Sequence, residues 1–251
     1  MRRLSSRAHQ SRDRKEAMCK GAILNRLEEA VSPWPVSGMP NTLADRTRRV
    51  YDRLAAVYPV STMFFHSRAH RCALGASGLR DGMKVLEVAT GSGELFRRLV
   101  RANHHGTTVG IDLSPNMAAR TQRTARRKYP AAKALCQAVD ARHMPFRNEA
   151  FDAIFCCYLL ELLSTEDIEG TLGEFRRILR DRGHLTLVLI GQNTATFNAI
   201  YRVLGKVAPA FWGRQVEQRV PDLIESARFE IVQDHMVRQT FYPSRVLVAR
   251  K

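Results

Sequence analysis

Short apolar runs alternate with segments of helical spacing from Met83 onward. Val85-Leu-Glu-Val-Ala-Thr-Gly-Ser-Gly-Glu94 is an apolar run broken by two glycines, after which Leu95, Phe96, Leu99 and Val100 recur at helical intervals. The pattern predicts a strand, a tight turn and a helix start. Further apolar runs predict strands at Thr107 to Asp112, Ala134 to Val139, Phe151 to Cys157, His184 to Ile190, Phe229-Glu-Ile-Val232 and Arg245 to Arg250. Between them, Leu95 to His105 predicts a helix ended by Gly106. Ser114 can cap the next helix, with Pro115 at its first position and Pro130 beyond its end. Ser164 or Thr165 can cap a third, whose stripe Ile168, Leu172, Phe175 and Leu179 should be buried and which Gly183 should end. Strands alternating with helices place the chain in the α/β class.

The first 38 residues have a different texture. Arg2, Arg3, Arg7, Arg12 and Arg14 stand among serines, and Pro33-Trp-Pro35 closes the stretch. A basic disordered extension, a mitochondrial targeting segment and an upstream start ahead of Met39 all remain open, with Asp13 and Glu16 diluting the targeting pattern. The expected division is 1–38 as this extension, 39–80 as an N-terminal helical lid, and 81–251 as the main domain with a helical insertion near 192–228. Within the lid, Val50, Leu54 and Tyr58 predict an amphipathic helix that stops before Pro59. The insertion carries Phe197, Tyr201, Phe211 and Trp212, suited to roofing an apolar pocket.

The chain has 251 residues, enough for one core, and a formal net charge of +16. Such a charge favours anionic partners, a membrane surface or RNA, or else is a solvated basic exterior. The arginines at 120, 123, 126 and 127 read as the wet side of a helix. Cys19, Cys72, Cys136, Cys156 and Cys157 show no Cys-x-x-Cys spacing, which argues for a reducing compartment and no structural metal. Cys156 and Cys157 should point to opposite faces of their strand. No apolar stretch approaches the roughly 18 residues of a membrane span. The expected place is the cytoplasm with peripheral contact to anionic membrane, or the mitochondrion if the N-terminal segment is a targeting signal.

Candidate chemistry gathers at the predicted strand ends. Gly91 and Gly93 let backbone approach a ligand, and the amides opening the next helix point outward as donors. Glu87 adds a carboxylate near the first strand's end. A dinucleotide fingerprint wants a third glycine where Phe96 stands, which weakens an NAD reading. Asp112, roughly 19 residues past the last glycine, ends the neighbouring strand where a carboxylate can accept both ribose hydroxyls of a nucleoside. Asp140-Ala141 ends the third.

On Glu87-Val-Ala-Thr-Gly-Ser-Gly93, Gly110-Ile-Asp112, Val139-Asp-Ala141 with Met144-Pro-Phe146, Phe151-Asp152 and Glu174-Phe-Arg-Arg-Ile-Leu179, the chain resembles the class I S-adenosylmethionine-dependent methyltransferases. Within that family it resembles the branch holding ubiquinone/menaquinone-biosynthesis C-methyltransferases and bacterial phosphatidylethanolamine N-methyltransferases. The resemblance implies a Rossmann-like fold, a seven-stranded, mostly parallel sheet with an antiparallel last strand and helices on both faces. It also implies S-adenosyl-L-methionine as cofactor. Glu87 would orient the methionyl ammonium, Ala89, Thr90, Gly91, Ser92 and Gly93 would form the cofactor loop, and Asp112 would hold the ribose. Asp140 would accept the adenine amino group beside Ala141, Leu113 and Met117 would lie against the ring, and Tyr158 would face the methionine part. Candidate catalytic groups are Tyr58, His66 and Tyr158, and candidate acceptor-pocket residues are Tyr51, Tyr58, Tyr201, Phe211 and Trp212. Pro59 and Thr62 depart from the quinone branch's pre-core pattern. The expected reaction is methyl transfer to a small or amphipathic apolar acceptor, quinone-precursor-like or lipid-like. RNA or protein methylation, and a non-catalytic cofactor-binding regulator, are the alternatives.

Overall fold

The computed structural model describes residues 67–192, 216–239 and 243–251. The expectations for the 1–38 extension and the helix before Pro59 fall outside those residues, as do Tyr51, Tyr58, His66, Phe197, Tyr201, Phe211 and Trp212. The elements are α1 (Ser67–Ala76), β1 (Lys84–Val88), α2 (Glu94–Ala102), β2 (Thr107–Asp112), α3 (Pro115–Lys128), β3 (Lys133–Ala138) and β4 (Phe151–Cys157). A 3-10 turn (Leu160–Leu162), α4 (Thr165–Ile178), β5 (Leu179–Ile190), α5 (Val220–Ser226), β6 (Glu230–Val237) and β7 (Ser244–Arg250) follow.

The strands form one seven-stranded sheet in the order β3-β2-β1-β4-β5-β7-β6. Pairing is parallel from β3 to β5, while β7 runs antiparallel to both β5 and β6. The apolar runs that betray the strands exist because the central ones are buried on both faces. On β4, Ile154 and Cys156 join a core with Leu86, Leu187, Ile168, Leu172 and Phe175 on the α4 side. Ala153 and Phe155 pack the other way, against Val85, Leu95 and Leu99 of β1 and α2. Cys156 and Cys157 therefore do face opposite sides. α1 seats Ala69 and Ala73 on Val188 and Val246 of β5 and β7. Cys72, Cys136, Cys156 and Cys157 are free thiols. No described helix is long and apolar enough to cross a membrane.

Both serine caps form: Ser114 Oγ accepts from the Met117 amide and Ser164 Oγ from the Asp167 amide. Two helix ends differ from expectation. α2 stops at Ala102 rather than His105, because Asn103 leaves helical geometry and its side chain takes up stray backbone groups. Its Nδ2 donates to the Met83 carbonyl at 2.9 Å and its Oδ1 accepts from the Gly82 amide at 3.0 Å. α4 stops at Ile178, not at Gly183. Leu179 turns extended to pair with Phe151, so Gly183 lies inside β5, in the irregular stretch before His184 pairs with Ala153. The pairing partner across the sheet overrides the local glycine signal.

Candidate active site

β1 lies where the strand order reverses, between β2 on one side and β4 on the other, and crevices in such sheets open at the carboxyl ends beside that reversal. The loop leaving β1 turns through Ala89, Gly91 and Gly93, all at positive φ. Gly93 at φ 72° is held against α3, since a Cβ there would stand 2.6 Å from Thr121 Oγ1. The Thr90 amide donates to the Ile111 carbonyl at 3.1 Å, and the Gly93 amide closes the turn onto the Thr90 carbonyl at 2.8 Å. Thr90 is buried, with its hydroxyl 3.6 Å from Cys136 Sγ. Its part in the site is to shape the loop. Ser92 is half-buried.

Asp112 ties three strand ends together. Its Oδ2 accepts from the Gly91 amide at 2.7 Å, its Oδ1 accepts from the Ser114 amide at 2.9 Å, and its carbonyl accepts from the Val139 amide at 2.9 Å. Gly91 and Asp112 thus face one crevice, as the nucleoside arrangement requires. Beneath them Glu87 is 3% exposed, and its Oε2 has no hydrogen-bond partner. Burial, reinforced by the Asp112 charge, pushes its carboxyl well above the usual range, while Arg97 pulls it back. A buried carboxylate left short of a donor is a site for a cationic group. Across the β1–β2 pair Glu87 registers with Gly110, where a Cβ would meet Thr90 Cγ2 at 2.7 Å and Phe96 Cε2 at 2.8 Å. Glycine at 110 lets the loop threonine and α2 close over the acid.

The third strand end is more constrained than expected. Asp140 is grasped by Arg142 through both oxygens, with Nη2 to Oδ2 at 2.7 Å and Nε to Oδ1 at 3.0 Å, and also accepts from the Arg142 amide. These bonds hold its carboxyl below the usual range against the opposing effect of burial. Arg142 also reaches Asp167 on α4. Ala141 packs against the core. Met117 is fully buried, so of the two side chains assigned to an adenine ring, Leu113 is the one with accessible surface.

Tyr158 follows β4 at φ 55°, its hydroxyl 2.8 Å from Ser244 Oγ and within reach of the Gln239 amide. Burial raises its phenol far above the ordinary value, outweighing those hydrogen bonds, so the hydroxyl stays protonated at neutral pH. That argues against Tyr158 as a general base. Two acids that motif reading passed over stand further along the same edge. Glu161, in the 3-10 turn, is 2% exposed and accepts from the Ile190 amide at 2.7 Å; burial pushes its carboxyl up to about 7. Glu217 is buried with both carboxylate oxygens unpartnered. Glu161 is the one charged residue between Ile154 and Leu163, a visible signal; the surroundings of Glu217 carry none.

Residues 85–183 match the methyltransferase domain family, and the chain carries such a domain there. Among curated relatives, the 2-phytyl-1,4-naphtoquinone methyltransferase of Trichormus variabilis is 29% identical over 143 residues, 55% of this chain and 62% of that protein. The match thus spans about three-fifths of the relative's length. The [4+2]-cyclase SpnF shares the fold at TM-score 0.69 and 18% identity, covering 86% of this chain and 99% of SpnF. The N-methyltransferase NodS from Bradyrhizobium japonicum WM9, solved with S-adenosyl-L-homocysteine, shares it at TM-score 0.65 and 17% identity, over 82% of this chain and 98% of NodS.

Proposed function

We propose that this chain, with its methyltransferase domain, transfers a methyl group from S-adenosyl-L-methionine to a small or amphipathic apolar acceptor of quinone-precursor type. The observation that carries the reading is the pair of acids at the reversal of strand order: Glu87, buried and short of a donor, beside Asp112, which clasps the Gly91 amide. Their spacing along β1 and β2 suits a ligand with an ammonium at one end and a ribose at the other, and the residues present fit that group.

When bound, S-adenosyl-L-methionine supplies a methyl already activated on a sulfonium, so the protein's task is alignment and exclusion of water. Glu87 accepts from the ligand's ammonium and so relieves its own desolvation. Asp112 keeps Gly91 and Ser114 in place with one set of lone pairs and accepts from ribose hydroxyls with the other. Asp140, fixed by Arg142, presents an acceptor at the base edge, and Leu113 offers apolar surface to the ring. Holding donor and acceptor in line supplies roughly 7–11 kcal/mol of barrier reduction without a strong base. The protonated Tyr158 fits that economy, because it limits the wall between β4 and β7 without removing a proton.

The acceptor class follows from the relative named for a phytyl naphthoquinone and from the aromatic residues between 192 and 228. SpnF carries the same fold under a cyclase name, so the fold alone does not decide for methyl transfer. The deciding experiment incubates the full chain with methyl-labelled cofactor and, in parallel, prenylated naphthoquinols, phospholipid amines and RNA, with products identified by mass spectrometry. Label in the naphthoquinol alone is expected. Calorimetric binding of S-adenosylhomocysteine with no label in any product would point to the regulator instead, and no binding at all would overturn the cofactor assignment.

A further inference from the structure

Outside the cofactor crevice, three buried carboxylate oxygens have no hydrogen-bond partner: Glu161 Oε2 and both oxygens of Glu217. The two side chains feel each other's charge, since Glu217 contributes to the raised carboxyl of Glu161. Glu217 also lines a cleft of about 320 Å³ with Gln192, Gln218, Asp234, Met236 and Arg245, bounded by the end of β5 and the β6–β7 hairpin. The cation nearest at hand is already committed. Arg245 gives Nη2 and Nε to Asp234 at 2.7 and 3.0 Å, and Nη1 to the main-chain carbonyl of Glu217 at 2.8 Å. None of these bonds goes to the Glu217 carboxylate.

A chain of net charge +16 thus keeps a buried carboxylate, without a hydrogen-bond donor, open to a cleft. The chemistry of what fits is narrow. Anions are repelled, and neutral carbonyl compounds have no proton to donate. A hard divalent cation seeks 6–8 oxygen ligands, and no described group of three or more His, Cys, Asp or Glu is arranged to hold a metal. A primary ammonium carries three rotatable donors on a compact charge. Glu217 can accept two, and the side-chain carbonyl of Gln192 or Gln218 a third. Met236, 58% exposed at the rim, offers apolar surface for the attached alkyl chain. We propose that the cleft between β5 and the β6–β7 hairpin is a binding site for a primary alkylammonium group, with the Glu217 carboxylate as its counterion.

The site is separate from the cofactor crevice, so it is tested without cofactor and stands or falls independently of the methyl-transfer reading. Calorimetry on the full chain at neutral pH would titrate n-butylammonium chloride, with 1-pentanol as a neutral molecule of similar size and magnesium chloride as the metal arm. Saturable butylammonium binding with no response to pentanol or magnesium is expected. Glu217→Gln should weaken it at least tenfold, since a charge-assisted bond becomes a neutral one, with circular dichroism checking that the variant is folded. Should that variant fail to fold, Gln192→Leu, which removes an acceptor and fills the mouth, should also weaken butylammonium binding. Equal binding of pentanol, binding of magnesium in place of the amine, or no saturable binding of butylammonium would each overturn the assignment.

Discussion

Substituting Asp112→Asn separates two duties that one side chain performs. In the ligand-free fold the carboxylate accepts from the Gly91 amide at 2.7 Å and from the Ser114 amide at 2.9 Å. Asparagine keeps one acceptor oxygen and turns an NH2 toward the other amide, donor against donor. Leaving one buried N–H unsatisfied costs about 1–3 kcal/mol. Urea unfolding should therefore show a stability loss of that size with an unchanged slope. The same change removes one of two charged acceptors for ribose hydroxyls, each worth about 1.5–3 kcal/mol. S-adenosylhomocysteine should bind roughly 10- to 150-fold more weakly by calorimetry. The two readouts refute different things. Unchanged stability would mean the carboxylate does not clamp the loop, and lowered stability with unchanged affinity would mean it clamps the loop without touching the ligand.

Glu87→Gln should act in opposite directions on fold and ligand. Because the folded-state carboxyl is raised by burial and by Asp112, its contribution to stability is present below the unfolded value and is lost as pH rises through the folded one. The variant should thus gain on wild type in thermal unfolding as pH increases, yet bind S-adenosylhomocysteine more weakly; equal affinity would remove Glu87 from the ammonium site. Glu161→Gln tests the second buried acid. With its carboxyl moved from 4.5 to about 7, wild type should lose stability relative to the variant as pH rises across that window and then hold level. A pH-independent difference between their melting curves would count against it. Gly110→Ala should cost about 1–3 kcal/mol by overpacking against Thr90 and Phe96, and an unchanged denaturant midpoint would show that this contact is loose.

What could be read from the sequence was what local chemistry decides. The strands announced themselves because burial on both faces leaves unbroken apolar runs, and Ser114 and Ser164 cap their helices because a hydroxyl needs only the next turn to do so. The reading went astray where a distant partner wins. Gly183 looked like a helix stop, but Leu179 pairs with Phe151 and draws the chain into β5 a full turn early. Asp140 was identified by its place at a strand end, a reading blind to Arg142 two positions on, although that arginine is its principal partner. The two buried acids near the end of β5 draw the line most sharply. A carboxylate alone among Phe155, Leu159, Leu160 and Leu163 must be buried, neutralised or partnered, so Glu161 is flagged by its own neighbours. Glu217 sits in Gln215-Val-Glu-Gln-Arg219, an ordinary polar stretch, and is buried where β6 and β7 bring up Asp234 and Arg245. A buried charge of that kind is a property of tertiary contacts, so its neighbours in sequence do not betray it.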